Sequence, residues 1–163
     1  MAIKRFFATK DNTISNAFKE DLTTRATGSN MGASDILEVF SIYGQASSAS
    51  SELSRVLVEF DTTAIAAERT AGTIPASGSV NFHLRMYDAE HVESTPRDFT
   101  LTVAAISQSW NEGTGLDMNN YTDLGESNWI KANSTTSWTH QGGDFLTGSG
   151  NTPLMHTSQS FDG

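Results

Sequence analysis

The strongest constraint in this chain is an alternation of period two. From Val80 to Tyr87, the residues Val80, Phe82, Leu84 and Met86 fall on one side, and Asn81, His83, Arg85 and Tyr87 on the other. Successive side chains of an extended strand point to opposite faces, so this spacing predicts a half-buried strand. Phe99, Leu101, Val103 and Ala105 alternate in the same way with Thr100, Thr102, Ala104 and Ile106. A third alternation sets Val56, Val58 and Phe60 against Arg55, Leu57 and Glu59. The run from Ile36 to Tyr43 is apolar on both sides, which predicts a strand in the middle of a sheet. Weaker strand patterns cover Lys4 to Ala8, Thr13 to Phe18 and Asn128 to Ala132.

The remaining segments read as connections. Thr27 to Gly32 and Gly44 to Ser51 are small, polar and without period, hence loops. Thr62 to Ala71 is the one helical stretch: Thr62 or Thr63 can cap it, Ala64, Ala66 and Ala67 favour it, and Gly72 ends it. After Trp110 the chain is rich in Gly, Asn, Ser and Thr, with Tyr121, Trp129, Trp138, Phe145 and Phe161 spaced along it. So many aromatics argue for ordered loops and against disorder. Together these patterns predict an all-β fold, a jelly-roll β-sandwich with one short connector helix over about Thr62 to Ala71 and long loops in the C-terminal third. The 163 residues suit a single domain spanning 1–163.

Composition narrows the chemistry. With no Cys, the chain has no disulfide framework, thiolate metal site or cysteine nucleophile. Its net charge of −9 argues against nucleic acid and anionic membrane as partners, since both require clustered cationic charge. No apolar run reaches the roughly 18 residues that a membrane-spanning helix needs. The N-terminal residues Met1 to Ala8 lack the apolar stretch and cleavage site of a secretory signal, which predicts synthesis in a cytoplasm without general secretory export.

No segment carries a catalytic constellation. In Trp110-Asn111-Glu112-Gly113, Glu112 lacks a second carboxylate with a supporting motif. The cluster reads as a core Trp at a strand end, with Glu112 bonding loop amides. His83, His91, His140 and His156 lack the close spacing of a zinc site on one element. No nucleophile elbow or phosphate loop is present. We therefore assign no catalytic or cofactor-binding residue and read the chain as non-enzymatic.

Two binding sites are open on residue type. Asp117, Asn119 and Asp123 offer hard oxygens at alternating positions, suited to a structural calcium or to an ordinary Asx-turn loop. The stretch is no EF-hand, since Thr122 and Asn128 stand where that motif needs Gly and Glu. Tyr121, Trp129 and Trp138, with Tyr87, could stack on the faces of a glycan, or else fill the core.

Several of these segments resemble a known family. Phe7-Ala8-Thr9-Lys10-Asp11-Asn12-Thr13-Ile14 looks like the opening of DNRLRE-type domains, a carbohydrate-binding-module-like jelly roll. In order after it, Gly28 to Gly32 resembles the family's Asn-x-Gly loop, and Ser54 to Asp61 its Arg-x-Leu-x-x-Phe-Asp strand. Val80 to Tyr87 is similar to its Ala-x-Leu-x-Leu-Tyr strand, and Ser109 to Gly115 to its Trp-x-Glu-Gly segment. Such domains generally occur in secreted bacterial proteins. Without an export signal, the resemblance implies a bacteriophage virion structural protein, made in the host cytoplasm and acting through assembly with other virion proteins. The alternative it implies is a carbohydrate-binding module that recognises a host-surface glycan. The family's closing strands, of the form Asp-Val-Thr-x-x-Val-x-x-Trp, have no counterpart in Ser158 to Gly163. That departure implies a sandwich missing its last strands, completed by a longer chain or by a neighbouring subunit, and hence a homo-oligomer or a subunit of a larger assembly.

Overall fold

The computed structural model describes residues 3–75, 78–90, 98–122, 125–146 and 155–162. Five strands and one helix follow in the order β1 (Ala8–Ser15), β2 (Ser41–Tyr43), β3 (Ser51–Phe60), α1 (Thr62–Thr70), β4 (Phe99–Ala104) and β5 (His156–Phe161). They form two antiparallel sheets, one of order β1-β3-β2 and a two-stranded ribbon of β4 and β5. The protein is thus all-β with a single short helix among the described residues.

β3 anchors the larger sheet because its Leu53, Val56, Leu57, Val58 and Phe60 suit a pleated surface with neighbours on both sides. β1 pairs with it from Ala8↔Phe60 to Ser15↔Ser54, with a register shift between Ala8 and Lys10. Asn12↔Leu57 and Ile14↔Arg55 share one face, and this face carries the core. Ile14, Leu57, Trp110, Trp129, Ala132 and Trp138 are buried together, with Leu53 and Ile106 packed against them. Loops from the C-terminal part of the chain therefore supply the second layer, and all three tryptophans are spent on it.

The face chosen on β3 differs from the alternation read in the sequence. Leu57 is the buried residue, while Val56, Val58 and Phe60 are half-buried. Apolar residues stand on both sides of this strand, so the tryptophans of the loops decide which side becomes the interior. The strands expected at Lys4 to Ala8 and Thr13 to Phe18 are replaced by one strand, β1, which runs through the polar residues Lys10, Asp11 and Asn12. Its polar centre is tolerated because the pairing with β3 satisfies the backbone and the buried side chains find partners.

The apolar run from Ile36 to Tyr43 contributes only Ser41–Tyr43, and at an edge of the sheet, not in its centre. Before β2 the chain crosses polar groups of the sheet: the Glu38 N–H donates to Thr13 Oγ1 and the Phe40 N–H to Ser54 Oγ. These contacts use backbone groups that a longer β2 would need for its ladder. The strand expected over Asn128 to Ala132 is instead a looped turn with a single bridge, Lys131↔Ser137. Asn128 accounts for it, since its Oδ1 accepts from the N–H groups of Ile130 and Lys131 and folds the backbone back.

α1 is the expected connector helix, but its cap is Asp61 and not Thr62 or Thr63. The Asp61 carboxylate accepts from the N–H groups of Thr63 and Ala64 at 2.8 and 3.3 Å. Gly72, at φ 73°, takes the left-handed turn that stops the helix after Ala71. No residue of α1 is buried, and Lys4 ties the N-terminal segment to it through Glu68 at 2.6 Å.

The largest departure is at Val80 to Tyr87. This segment runs without helix, turn or bend and pairs with no strand among the described residues, and its residues from Asn81 onward are exposed. Period-two patterning specifies a ribbon with an apolar face; it does not supply the neighbouring edge that would make it a strand of a sheet. At the other end of the chain, His156–Phe161 forms β5, although the sequence there shows no family-like closing strand.

Candidate interaction surface

The surface begins with what lies beneath it. β1 places Asn12 in the interior, where its Nδ2 donates to Ser127 O and Oγ at 3.1 and 2.7 Å and its Oδ1 accepts from the Met31 N–H at 3.0 Å. The buried Asn30 Oδ1 accepts from the N–H of Gly115 at 2.9 Å and of Gly32 at 3.3 Å. A Cβ at Gly113 would run into that Asn30 amide, so glycine is required there for the loops to approach. Asn128 adds the turn described above, and its carbonyl accepts from Trp138 Nε1 at 2.8 Å. These amides fasten the C-terminal loops to β1 and to one another. Composition shows that Asn is abundant; only the folded chain shows which three are buried.

Arg55 is a second fastening that the strand pattern hides. Its guanidinium lies 5.2 Å from the Trp129 ring and 5.0 Å from the Phe145 ring, and it donates to Gly142 O at 2.7 Å. Burial pushes this guanidinium down from its ordinary value. Asp144 closes the same loop by accepting from the N–H groups of Thr139 and His140, each at 2.8 Å. Burial raises its pKa, but these hydrogen bonds outweigh that and hold it below the usual range.

Glu112 bonds a backbone amide, as its motif suggests: its Oε1 accepts from the Asp11 N–H at 2.8 Å. The Asp11 carboxyl is pushed up, first by partial burial and then by the charge of Glu112. Trp110 beside it is a core residue.

Trp129 and Trp138 are each only 5% exposed, so both fill the core and neither offers a ring face to a glycan in this arrangement. Tyr121 is half-buried, with its hydroxyl 2.7 Å from Thr114 Oγ1. Tyr87, on the Val80 to Tyr87 segment, is 82% exposed. Of the calcium candidates, the Asp117 carboxylate accepts from the N–H groups of Asn119 and Asn120 at 3.0 and 2.8 Å, which is an Asx turn. Asn119 Oδ1 accepts from the Glu20 N–H, and Asp123 lies outside the described residues. Among the described residues no group of three or more His, Asp or Glu side chains is placed to hold a metal ion, and no helix is long and apolar enough to cross a membrane.

What the structure does gather on its outside is apolar. Phe82, Leu84, Met86 and Tyr87 are exposed along one unpaired segment; Val103, Met155 and Phe161 are exposed on or beside the ribbon of β4 and β5. Val39, Ile42 and Tyr43 are exposed at the β2 edge. Among the described residues, β4 is paired between Phe99 and Ala104 on one side only, by β5. Unpaired strand edges flanked by apolar side chains are sites for association with another chain. The sequence motifs alone carry the DNRLRE-type likeness: no family model, no curated protein and no solved structure matches the chain.

Proposed function

We propose that this protein is a non-enzymatic structural subunit of a bacteriophage particle, a capsid-decoration, neck or tail component that acts by assembling with copies of itself and with other virion proteins. One observation carries the assembly part. The chain exposes 11107 Å² at a mass of 17.6 kDa, whereas a folded monomer of that mass exposes about 7,900 Å². The excess of about 3,000 Å² is well beyond the roughly 800 Å² that each partner contributes to a standard interface. Exposed apolar side chains and open edges stand where this surplus would be covered. The phage setting rests on the family resemblance. In this reading the jelly-roll sandwich is completed by strands from neighbours.

Sedimentation velocity of the purified full chain over a hundredfold range of concentration tests the proposal. The expected result is a concentration-dependent oligomer. A compact monomer at every concentration overturns it, and binding of that monomer to an arrayed glycan would favour the carbohydrate-binding reading instead.

A further inference from the structure

We propose that the Val80–Tyr87 segment of one copy adds as a third strand to the free edge of β4 in a second copy of this chain, and that the exchange is reciprocal. The inference rests on the assembly reading above and names the contact that performs it. The segment is patterned as a strand, is free of helix, turn and bend, and has no ladder of its own among the described residues. A two-stranded ribbon is only marginally stable in water, and a third strand on an apolar face is what such a ribbon lacks.

Register and charge select the edge. Run antiparallel, Val80, Phe82 and Leu84 can stand opposite Val103, Leu101 and Phe99, apolar against apolar on one face. On the other face Asn81 and His83 then meet Thr102 and Thr100, and Arg85 meets Asp98, which is exposed at the end of β4. A slip of one residue would set Phe82 and Leu84 against threonines, so the alternation fixes the register to steps of two. Of the registers that remain, this one pairs Arg85 with a carboxylate. The outer edge of β5 is a poorer match, because Thr157 and Gln159 share the face of Phe161 there. Between Val80 and Tyr87 the segment has Arg85 and His83 and no carboxylate, in a chain of net charge −9, so a second copy is a complementary partner.

The acceptor is a second copy because the segment is held elsewhere in its own chain. Phe82 lies under the Arg69 guanidinium of α1, 5.9 Å from ring centroid to charge, and pairs with no residue of β4. Reciprocal exchange covers both the donor segment and the β4 edge twice.

Three changes test it on the full chain. Leu84→Pro removes an N–H that no ladder among the described residues uses, so thermal unfolding of the monomer should be unchanged while the oligomer is lost. Arg85→Asp or Asp98→Arg alone should weaken association about tenfold, with the double variant R85D/D98R restoring it. Because the chain has no Cys, a Phe82→Cys chain oxidised together with a Leu101→Cys chain should give a disulfide between chains. A wild-type oligomer that survives L84P and R85D and forms no such crosslink overturns this proposal and leaves the assembly reading standing. A crosslink within one monomeric F82C/L101C chain also overturns it. A wild type that is monomeric at every concentration overturns both.

Discussion

Asn12→Asp is the sharpest probe of the buried frame. The substitution preserves size and the acceptor for the Met31 N–H, but it turns the Nδ2 donor into an oxygen facing Ser127 O across 3.1 Å. Ser127 Oγ, at 2.7 Å, can rotate to donate; the carbonyl cannot. Asn12 is fully buried, and a carboxyl in such a site can be raised by about 3 pH units. At about 1.4 kcal/mol per unit this costs about 4 kcal/mol at neutral pH. Protonation returns a donor to the same position, so the carbonyl and the charge are one cost. The folded-state pKa lies above the unfolded value near 3.9, so the folded chain binds the extra proton, and the penalty grows as pH rises from about 4. Urea unfolding of variant and wild type at a series of pH values measures the difference directly. We expect a loss of about 4 kcal/mol at pH 7 that shrinks to about 1 kcal/mol at pH 4, and for Asn12→Ala a loss that is flat in pH. Equal stabilities at pH 7, or an Asp penalty independent of pH, would refute the placement of Asn12 against Ser127.

Three further outcomes follow from the same structure. Gly113→Ala drives a methyl into the Asn30 amide and should cost about 3 kcal/mol in denaturant unfolding, against about 1–2 kcal/mol for Gly78→Ser, whose surroundings are open and which meets only the strain of its positive φ. Asp61→Ala removes both cap hydrogen bonds of α1 and should lower stability by about 1 kcal/mol, with Asp61→Asn retaining most of it. Asp144→Asn should lose about 1–2 kcal/mol at pH 7; because the Asp144 pKa is held below its unfolded value, the wild-type advantage should decline as pH falls below about 4 and be gone once pH has passed the lower folded-state pKa.

Much of the architecture is legible from local chemistry. The alternation at Phe99 to Ala104 becomes β4, the Val56 to Phe60 run lies in β3, and the alanine-rich stretch closed by Gly72 is α1. The helix cap stands one residue before the threonines that the sequence offers, because Asp, Thr and Thr in succession all have capping side chains, and only the backbone angle of Asp61 selects it. For the surface, the sequence shows that Val80 to Tyr87 has an apolar face. It does not show that this face would stand in solvent.

What the sequence determined by itself is the all-β class, the connector helix and, from the absence of Cys, that no disulfide or thiolate site forms within the chain. These depend on each residue's own geometry and chemistry, and they hold whatever the neighbours are. The tertiary structure alone decided which face of β3 is interior, that the three tryptophans are core, and which asparagines are buried. It also decided that a well-patterned strand goes unpaired among the described residues. Burial and pairing are properties of contacts between residues such as Asn12 and Ser127, 115 positions apart, and no local pattern encodes a partner at that distance.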